Sequence, residues 1–155
     1  FSTQLYFLLK RIDQSEKINR TNDMLISDFY FGKDELFAKL NLSELEFEMY
    51  NSIRKKLNFI PPIPDLIIYL QAPTDILIER IKKRGLDTEK HIKKKYIESV
   101  NDLYMKHFHE YSSSPVLIIN TSNVNINDQN DYQLLIEEIS SDINGKKYFN
   151  PSSVK

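Results

Sequence analysis

Two arginines four positions apart are the residues in this sequence whose spacing most strongly suggests a binding or catalytic role. Arg80 and Arg84 lie on one face of a predicted helix that ends near Gly85. Two guanidinium groups on one face could hold phosphate oxygens in paired hydrogen bonds and neutralise charge that moves between them. Residues 79–95 hold eight Lys or Arg against three acids, in a chain of net charge -1. A solvated basic helix is the alternative interpretation of this segment.

A carboxylate and a pair of polar helix residues suggest two further sites. Asp28 ends a predicted buried strand, and ligands of open parallel sheets bind at the carboxyl ends of strands. Asp28 could hold Mg²⁺ there, whereas an Asp that starts a turn is the simpler explanation of this residue alone.

Gln4 and Arg11 are seven positions apart and share a helix face, where they could recognise the edge of a nucleobase. Ordinary surface polarity is the alternative for this pair.

Helical periodicity and strand-length apolar runs alternate along the chain and must position these residues. Ser43 and Glu46 form the capping-box pattern S-x-x-E at the start of one helix. Thr74 is predicted to cap another helix, which stops near Gly85. The predicted helices cover 1–20, 33–40, 43–59, 74–83, 92–111 and 132–143, and the predicted strands cover 24–28, 65–70 and 115–119.

Strands separated by helices predict βαβ crossovers and a mostly parallel sheet, so the predicted fold class is α/β. Residues 1–145 are predicted to form one domain and 146–155 a flexible tail. Three strands are few for a doubly wound sheet, and strands upstream of residue 1 would complete it.

Composition excludes several classes of protein. Hydrophobic residues make up 41% and charged residues 28% of the 155, which excludes a disordered tail, and no apolar run is long enough to span a membrane. The net charge of -1 argues against nucleic-acid binding. The absence of cysteine excludes a disulfide scaffold and fits a reducing compartment, so a cytoplasmic location is predicted. The three glycines cannot form a Gly-rich phosphate loop.

Taken together and in order, these motifs resemble the deoxynucleoside kinase family, specifically its bacterial deoxyadenosine/deoxyguanosine kinase branch. Order and spacing agree from residue 1 to about residue 143. The matching segments are Phe1-Ser2-Thr3-Gln4 with Arg11, residues 26–34 with Phe37-Ala38, residues 64–70, residues 80–85 with Glu89, and Tyr96.

The resemblance implies a three-layer P-loop kinase-like fold with a five-stranded parallel sheet. In such proteins the P-loop strand and the strand that bears the catalytic carboxylate precede residue 1, so both N-terminal strands are expected to be missing from this chain. The implied reaction transfers the γ-phosphoryl group of ATP, with Mg²⁺, to the 5′-hydroxyl of a deoxynucleoside, with a purine preference. A homodimer is also implied.

For the acceptor, the family pattern assigns base binding to Gln4, Arg11 and Asp34. It makes Asp28 the carboxylate associated with Mg²⁺. Phe29 departs from the pattern, because many relatives have an Arg after this acid.

For the donor, the family pattern makes Arg80 and Arg84 the lid arginines that clamp the phosphates. Glu89 matches the lid carboxylate that holds the sugar 3′-hydroxyl, and Asn125 lies in the loop that holds the donor adenine. Leu86 stands where many relatives have a third lid arginine, so the clamp is reduced.

Two other functions remain open on the sequence. A nucleoside monophosphate kinase of the thymidylate type shares the broad fold, but such kinases generally show Asp-Arg where this chain has Asp28-Phe29. An inactive, truncated binding or dimerising fragment is the other alternative, since these residues include neither a P-loop nor the family's catalytic base.

Overall fold

The computed structural model describes residues 1–17, 24–122 and 124–151. It divides into two compact units, Phe1–Pro62 and Ile63–Lys155. The division falls inside the predicted domain of residues 1–145. The end of the predicted first helix at 18–20 and the end of the predicted tail at 152–155 lie outside the described residues.

The described part of the first unit holds three helices, α1 Ser2–Lys17, α2 Gly32–Asn41 and α3 Glu44–Lys56. The predicted capping box is confirmed, because Ser43 Oγ accepts from the Glu46 amide while the Ser43 amide donates to the Glu46 carboxylate over 2.9 Å. Each helix contributes one buried residue to a shared core, namely Leu8, Ala38 and Tyr50.

The predicted strand at 24–28 is wrong, because this segment has no regular secondary structure. A strand forms through hydrogen bonds to a neighbouring strand, and no segment among the described residues pairs with it. Its apolar side chains are 87%, 65% and 86% exposed at Met24, Leu25 and Ile26.

The second unit is a parallel three-stranded sheet in the order β1-β2-β3, which confirms the predicted parallel α/β arrangement. Among the described residues none of its helices, nor those of the first unit, is long and apolar enough to cross a bilayer. The elements are β1 Ile67–Gln71, α4 Thr74–Arg84, a 3₁₀ turn Asp87–Glu89, α5 Lys94–Glu110, β2 Val116–Asn120, α6 Gln129–Ile139 and β3 Lys146–Phe149.

Helices cover the two faces of the central strand β2, whose residues 116–119 are all buried. On one face Tyr69 of β1 stacks on Phe108 of α5 with ring centroids 4.7 Å apart. On the other face Leu117 and Ile119 pack with Leu135 of α6. The continuous apolar run of β2 is therefore explained by burial on both sides.

Two local predictions in this unit need correction. Lys146–Phe149 is a strand and not part of a flexible tail, because these residues pair in parallel with β2. Thr74 is the first residue of α4 and does not cap it, since Pro73 occupies the cap position and no side chain caps the helix. The predicted stop at Gly85 is confirmed, where a φ of 68° provides the left-handed cap that glycine favours.

Candidate functional site

The first unit brings together two of the predicted base-binding residues. Arg11 on α1 donates from Nη1 to Asp34 on α2 over 2.6 Å. The Arg11 guanidinium also lies 3.9 Å from the ring centroid of Phe29. The aromatic residue that departs from the family pattern therefore supports Arg11, a role that the sequence did not reveal. Its only signal was an aromatic side chain where a cation was expected.

One carboxylate oxygen of Asp34 is buried in this unit without a hydrogen-bond partner among the described residues. This oxygen is Oδ2, and the Asp34 side chain as a whole is buried. Burial raises the pKa of the Asp34 carboxyl, and the positive charge of Arg11 offsets only part of that increase. A buried oxygen without a partner is costly, so a ligand that donates to Oδ2 would gain a strong hydrogen bond.

Tyr50 on α3 lies buried near the Asp34 carboxylate. The sequence analysis did not single out Tyr50. Its hydroxyl has no hydrogen-bond partner among the described residues. Burial, followed by the negative charge of Asp34, raises the pKa of Tyr50 to about 12. Tyr50 lies four positions after Glu46, and this spacing indicates only that the two residues share a helix face.

Gln4 lies half-buried on α1, two helical turns before Arg11. Its side-chain amide makes no hydrogen bond to another described residue, so both its donor and its acceptor are available to a ligand. The spacing of Gln4 and Arg11 on one helix face is confirmed by the extent of α1. Their role in base recognition stays a prediction.

Asp28 is exposed in the irregular segment and forms no ion pair with the described residues. Within those residues no group of three His, Asp or Glu could hold a metal ion. Mg²⁺ usually takes one or two carboxylates together with substrate phosphates and water. Asp28 therefore fits Mg²⁺ only as a single ligand beside bound phosphates.

In the second unit Arg80 is anchored at the carboxyl edge of the sheet. Its Nη1 donates to Thr121 Oγ1 over 2.8 Å and its Nη2 donates to Thr121 O over 2.6 Å. Thr121 directly follows β2 and also pairs with Gln71 at the end of β1. This is the edge where open α/β sheets bind ligands. Sequence reasoning missed Thr121, whose only signal was a hydroxyl after a buried strand.

Arg84 points to a different partner from Arg80. Its Nε and Nη2 donate to the two carboxylate oxygens of Glu89 over 3.0 and 2.6 Å. Glu89 belongs to the 3₁₀ turn that follows α4, and Gly85 makes the bend between them. The two residues predicted to bind donor phosphate and acceptor sugar are thus paired with each other.

Asn125 shapes the loop between β2 and α6. Its backbone amide donates to Asp131 over 2.8 Å, and its side-chain oxygen accepts from the Asn127 amide over 3.2 Å. Asp128 then caps α6. These hydrogen bonds link residues 125–131 to one another, while the predicted contact of Asn125 with the donor adenine stays a prediction.

Comparisons with known proteins identify the family. The family model described as deoxynucleoside kinase matches residues 1–144. The chain is 26% identical over 150 residues to a deoxyadenosine/deoxycytidine kinase of Bacillus subtilis, covering 91% of this chain and 69% of that protein. It is 33% identical over 104 residues to a deoxyguanosine kinase of Bacillus subtilis, covering 64% of this chain but only 50% of that protein.

A putative thymidylate kinase of Treponema pallidum is 32% identical over 88 residues, which cover 55% of this chain and 40% of that protein. Among solved structures, a deoxyadenosine kinase from M. mycoides with bound dATP superposes with a TM-score of 0.73 at 24% identity, covering 91% of this chain and 74% of that chain. This likeness confirms the predicted P-loop kinase-like fold. The chain belongs to the deoxynucleoside kinase family.

Proposed function

We propose that this chain supplies the base-recognition residues and the lid of an enzyme that transfers the γ-phosphoryl group of ATP to the 5′-hydroxyl of a purine deoxynucleoside. The observation that carries the proposal is the Arg11–Asp34 pair, in which Asp34 is buried and its Oδ2 has no hydrogen-bond partner among the described residues. A fixed acceptor next to a fixed cation suits a ligand with both donor and acceptor groups on one edge. A nucleobase is such a ligand.

The acceptor chemistry suits a purine. Adenine presents an amino donor beside ring-nitrogen acceptors. The Gln4 amide could satisfy one donor and one acceptor, while Asp34 Oδ2 could accept from an amino group. Rotation of the Gln4 amide would suit the carbonyl oxygen of guanine. The Bacillus subtilis relatives are named deoxyadenosine/deoxycytidine kinase and deoxyguanosine kinase, so their names cover both purines and also cytosine.

The lid arginines, Arg80 and Arg84, would bind the phosphates of the donor. Phosphoryl transfer requires positioning and charge neutralisation more than covalent work by the protein. Arg80 donates twice to Thr121 at the sheet edge, whereas Arg84 would exchange the Glu89 carboxylate for a phosphate oxygen. The exchange would leave Glu89 free for the 3′-hydroxyl of the acceptor sugar, which is its predicted role. Asp28 and the phosphates would hold the Mg²⁺, which adds positive charge there.

We also propose that the protein acts in the cytoplasm as a homodimer. Leu45 and Met49 lie one turn apart on α3 and are 68% and 49% exposed, which favours a partner for this helix face. Analytical ultracentrifugation of the purified gene product is expected to show a dimer. A monomer at micromolar concentration would contradict this part of the proposal.

A substrate panel tests the proposed function. The purified gene product is incubated with ATP and Mg²⁺ and with deoxyadenosine, deoxyguanosine, deoxycytidine, thymidine or their monophosphates. We expect phosphorylation of the nucleosides, fastest for the purines. Phosphorylation of thymidine monophosphate alone would support the thymidylate-type alternative.

A second arm of the panel uses the 155 residues alone. We expect no phosphoryl transfer from them, because they form no Gly-rich phosphate loop. Activity above background in this arm would show that the phosphate-binding function is carried by other residues. Inactivity of both proteins with every nucleoside would contradict the kinase proposal.

A further inference from the structure

Arg80 on α4 is an exposed side chain that donates to one residue of the loop after β2, Thr121, which lies 41 positions further along the chain. Thr121 accepts from Arg80 twice, once through its hydroxyl and once through its backbone carbonyl. We propose that Thr121 is a positioning residue, which fixes the Arg80 guanidinium for contact with the donor phosphates. This inference rests on the proposed kinase function and goes beyond it by assigning a role to Thr121.

The direction of the Thr121 hydroxyl is fixed by the sheet. A threonine hydroxyl has a single proton and two lone pairs. The proton is donated to Gln71 O over 3.0 Å, and the Thr121 amide donates to the same carbonyl over 2.8 Å. The lone pairs of Oγ1 are therefore left to accept from Arg80. The carbonyl at the end of β1 thus orients Thr121, and Thr121 orients Arg80.

This anchoring leaves Arg80 free to bind an anion. Guanidinium has five N–H donors, and two of them are used by Thr121. Both acceptors on Thr121 are neutral, and Arg80 forms no ion pair with the described residues. Its positive charge and three donors are therefore available, whereas the charge of Arg84 is compensated by Glu89.

A fixed guanidinium matters most in the transition state. An unrestrained arginine loses side-chain freedom when it binds, and this loss opposes catalysis unless the side chain is already held in place. Thr121 holds Arg80 before the donor arrives, so its removal should slow the phosphoryl-transfer step. Acceptor binding depends on other residues, so the Michaelis constant for the deoxynucleoside should change little.

Two substitutions separate the hydroxyl from the rest of the side chain. Thr121→Val keeps a similar shape and removes the hydroxyl, whereas Thr121→Ser keeps the hydroxyl. In the purified gene product we expect Thr121→Val to lower kcat about tenfold, with the deoxynucleoside KM within about twofold of wild type. Thr121→Ser should restore kcat to within about twofold. An unchanged kcat in Thr121→Val would overturn the proposal.

A double-mutant cycle excludes a merely structural role. If Thr121 acts through Arg80, then Arg80→Ala with Thr121→Val should be no slower than Arg80→Ala alone. A further tenfold loss in the double variant would mean that Thr121 acts independently of Arg80, and it would overturn the proposal.

A readout that does not need activity separates this proposal from the kinase assignment. ¹⁵N NMR of the arginine side chains should show restricted rotation of the Arg80 Nη groups in wild type and in Thr121→Ser, and faster rotation in Thr121→Val. Equal rotation in all three proteins would overturn the positioning role even in an active kinase. Restricted rotation in a wild-type protein that phosphorylates no nucleoside would contradict the proposed function instead, and the anchoring of Arg80 would stand.

Discussion

Two ion pairs of the same length, one in each unit, differ in their exposure to solvent. Arg11 and Asp34 meet at 2.6 Å with side chains 26% and 6% exposed. Arg84 and Glu89 also meet at 2.6 Å, but their side chains are 58% and 19% exposed. The first pair joins residues of two helices that are 23 positions apart in the chain, whereas the second joins a helix end to the turn that follows it.

The difference shows how one kind of contact can serve two purposes. A buried pair is costly to break, because either partner alone would leave an uncompensated charge away from water. An exposed pair contributes little and can exchange partners, since water and salt screen both charges. Base recognition needs fixed groups, and a lid needs groups that change partners, so each pair suits the role proposed for its unit.

The largest expected effect separates the two pairs by stability. Arg11→Met should lower the free energy of unfolding by about 3 kcal/mol, because Asp34 stays buried without its cation. Arg84→Met should lower it by less than about 1 kcal/mol. Urea denaturation of the purified gene product measures both. Similar losses in the two variants would contradict the contrast between a buried and an exposed pair.

The next effect is expected in turnover. Arg84→Ala should lower kcat about 100-fold, because a guanidinium that neutralises transferring phosphate is lost, while acceptor binding weakens far less. Lys83→Ala is the matched control, since Lys83 is an exposed cation of the same helix end. Steady-state kinetics with varied deoxynucleoside gives both constants. Unchanged turnover in Arg84→Ala would remove Arg84 from the lid mechanism and leave its pair with Glu89 purely structural.

A smaller effect is expected at the acceptor. Gln4→Ala should raise the deoxynucleoside KM about tenfold, because hydrogen bonds to the base worth about 1.5–3 kcal/mol are lost. Gln14→Ala removes the same side chain from an exposed position of α1 and serves as the control. If the constant is unchanged for all four deoxynucleosides, Gln4 does not recognise the base.

Many of the helices and site residues could be predicted from the sequence, because they depend on local patterns. Helical periodicity located the six α-helices of the described residues, and the capping box at Ser43 and the stop at Gly85 were found at their positions. Family motifs singled out the four residues of the two ion pairs. Their pairing was not predictable, because Arg11–Asp34 depends on how α1 packs against α2 and Arg84–Glu89 on the bend at Gly85.

The errors lie where structure depends on a distant neighbour. The apolar stretch 24–26 has the composition of a buried strand but no strand beside it among the described residues. Lys146–Phe149 has two lysines and looks polar, yet β2 offers it an edge to pair with. Strand formation depends on the partner as much as on the segment. Thr121 was missed for a related reason, since its proposed role depends on its hydrogen bond with Arg80, 41 positions away in the chain.

The smallest expected effect tests whether the interior behind the first pair excludes water. The pKa of Tyr50 is raised from 10.0 to about 12, chiefly by burial. Between these values the unfolded chain releases the phenol proton and the folded chain keeps it, so stability falls as the pH rises. The Tyr50→Phe variant has no phenol proton and does not lose stability in this way. Its free energy of unfolding relative to wild type should rise by about 1 kcal/mol between pH 9 and pH 11.

Urea denaturation at both pH values measures the change, with Tyr6→Phe at an exposed position of α1 as the control. A pH-independent difference would mean that water reaches Tyr50, and the buried character of the neighbouring Arg11–Asp34 pair would then no longer explain its stability.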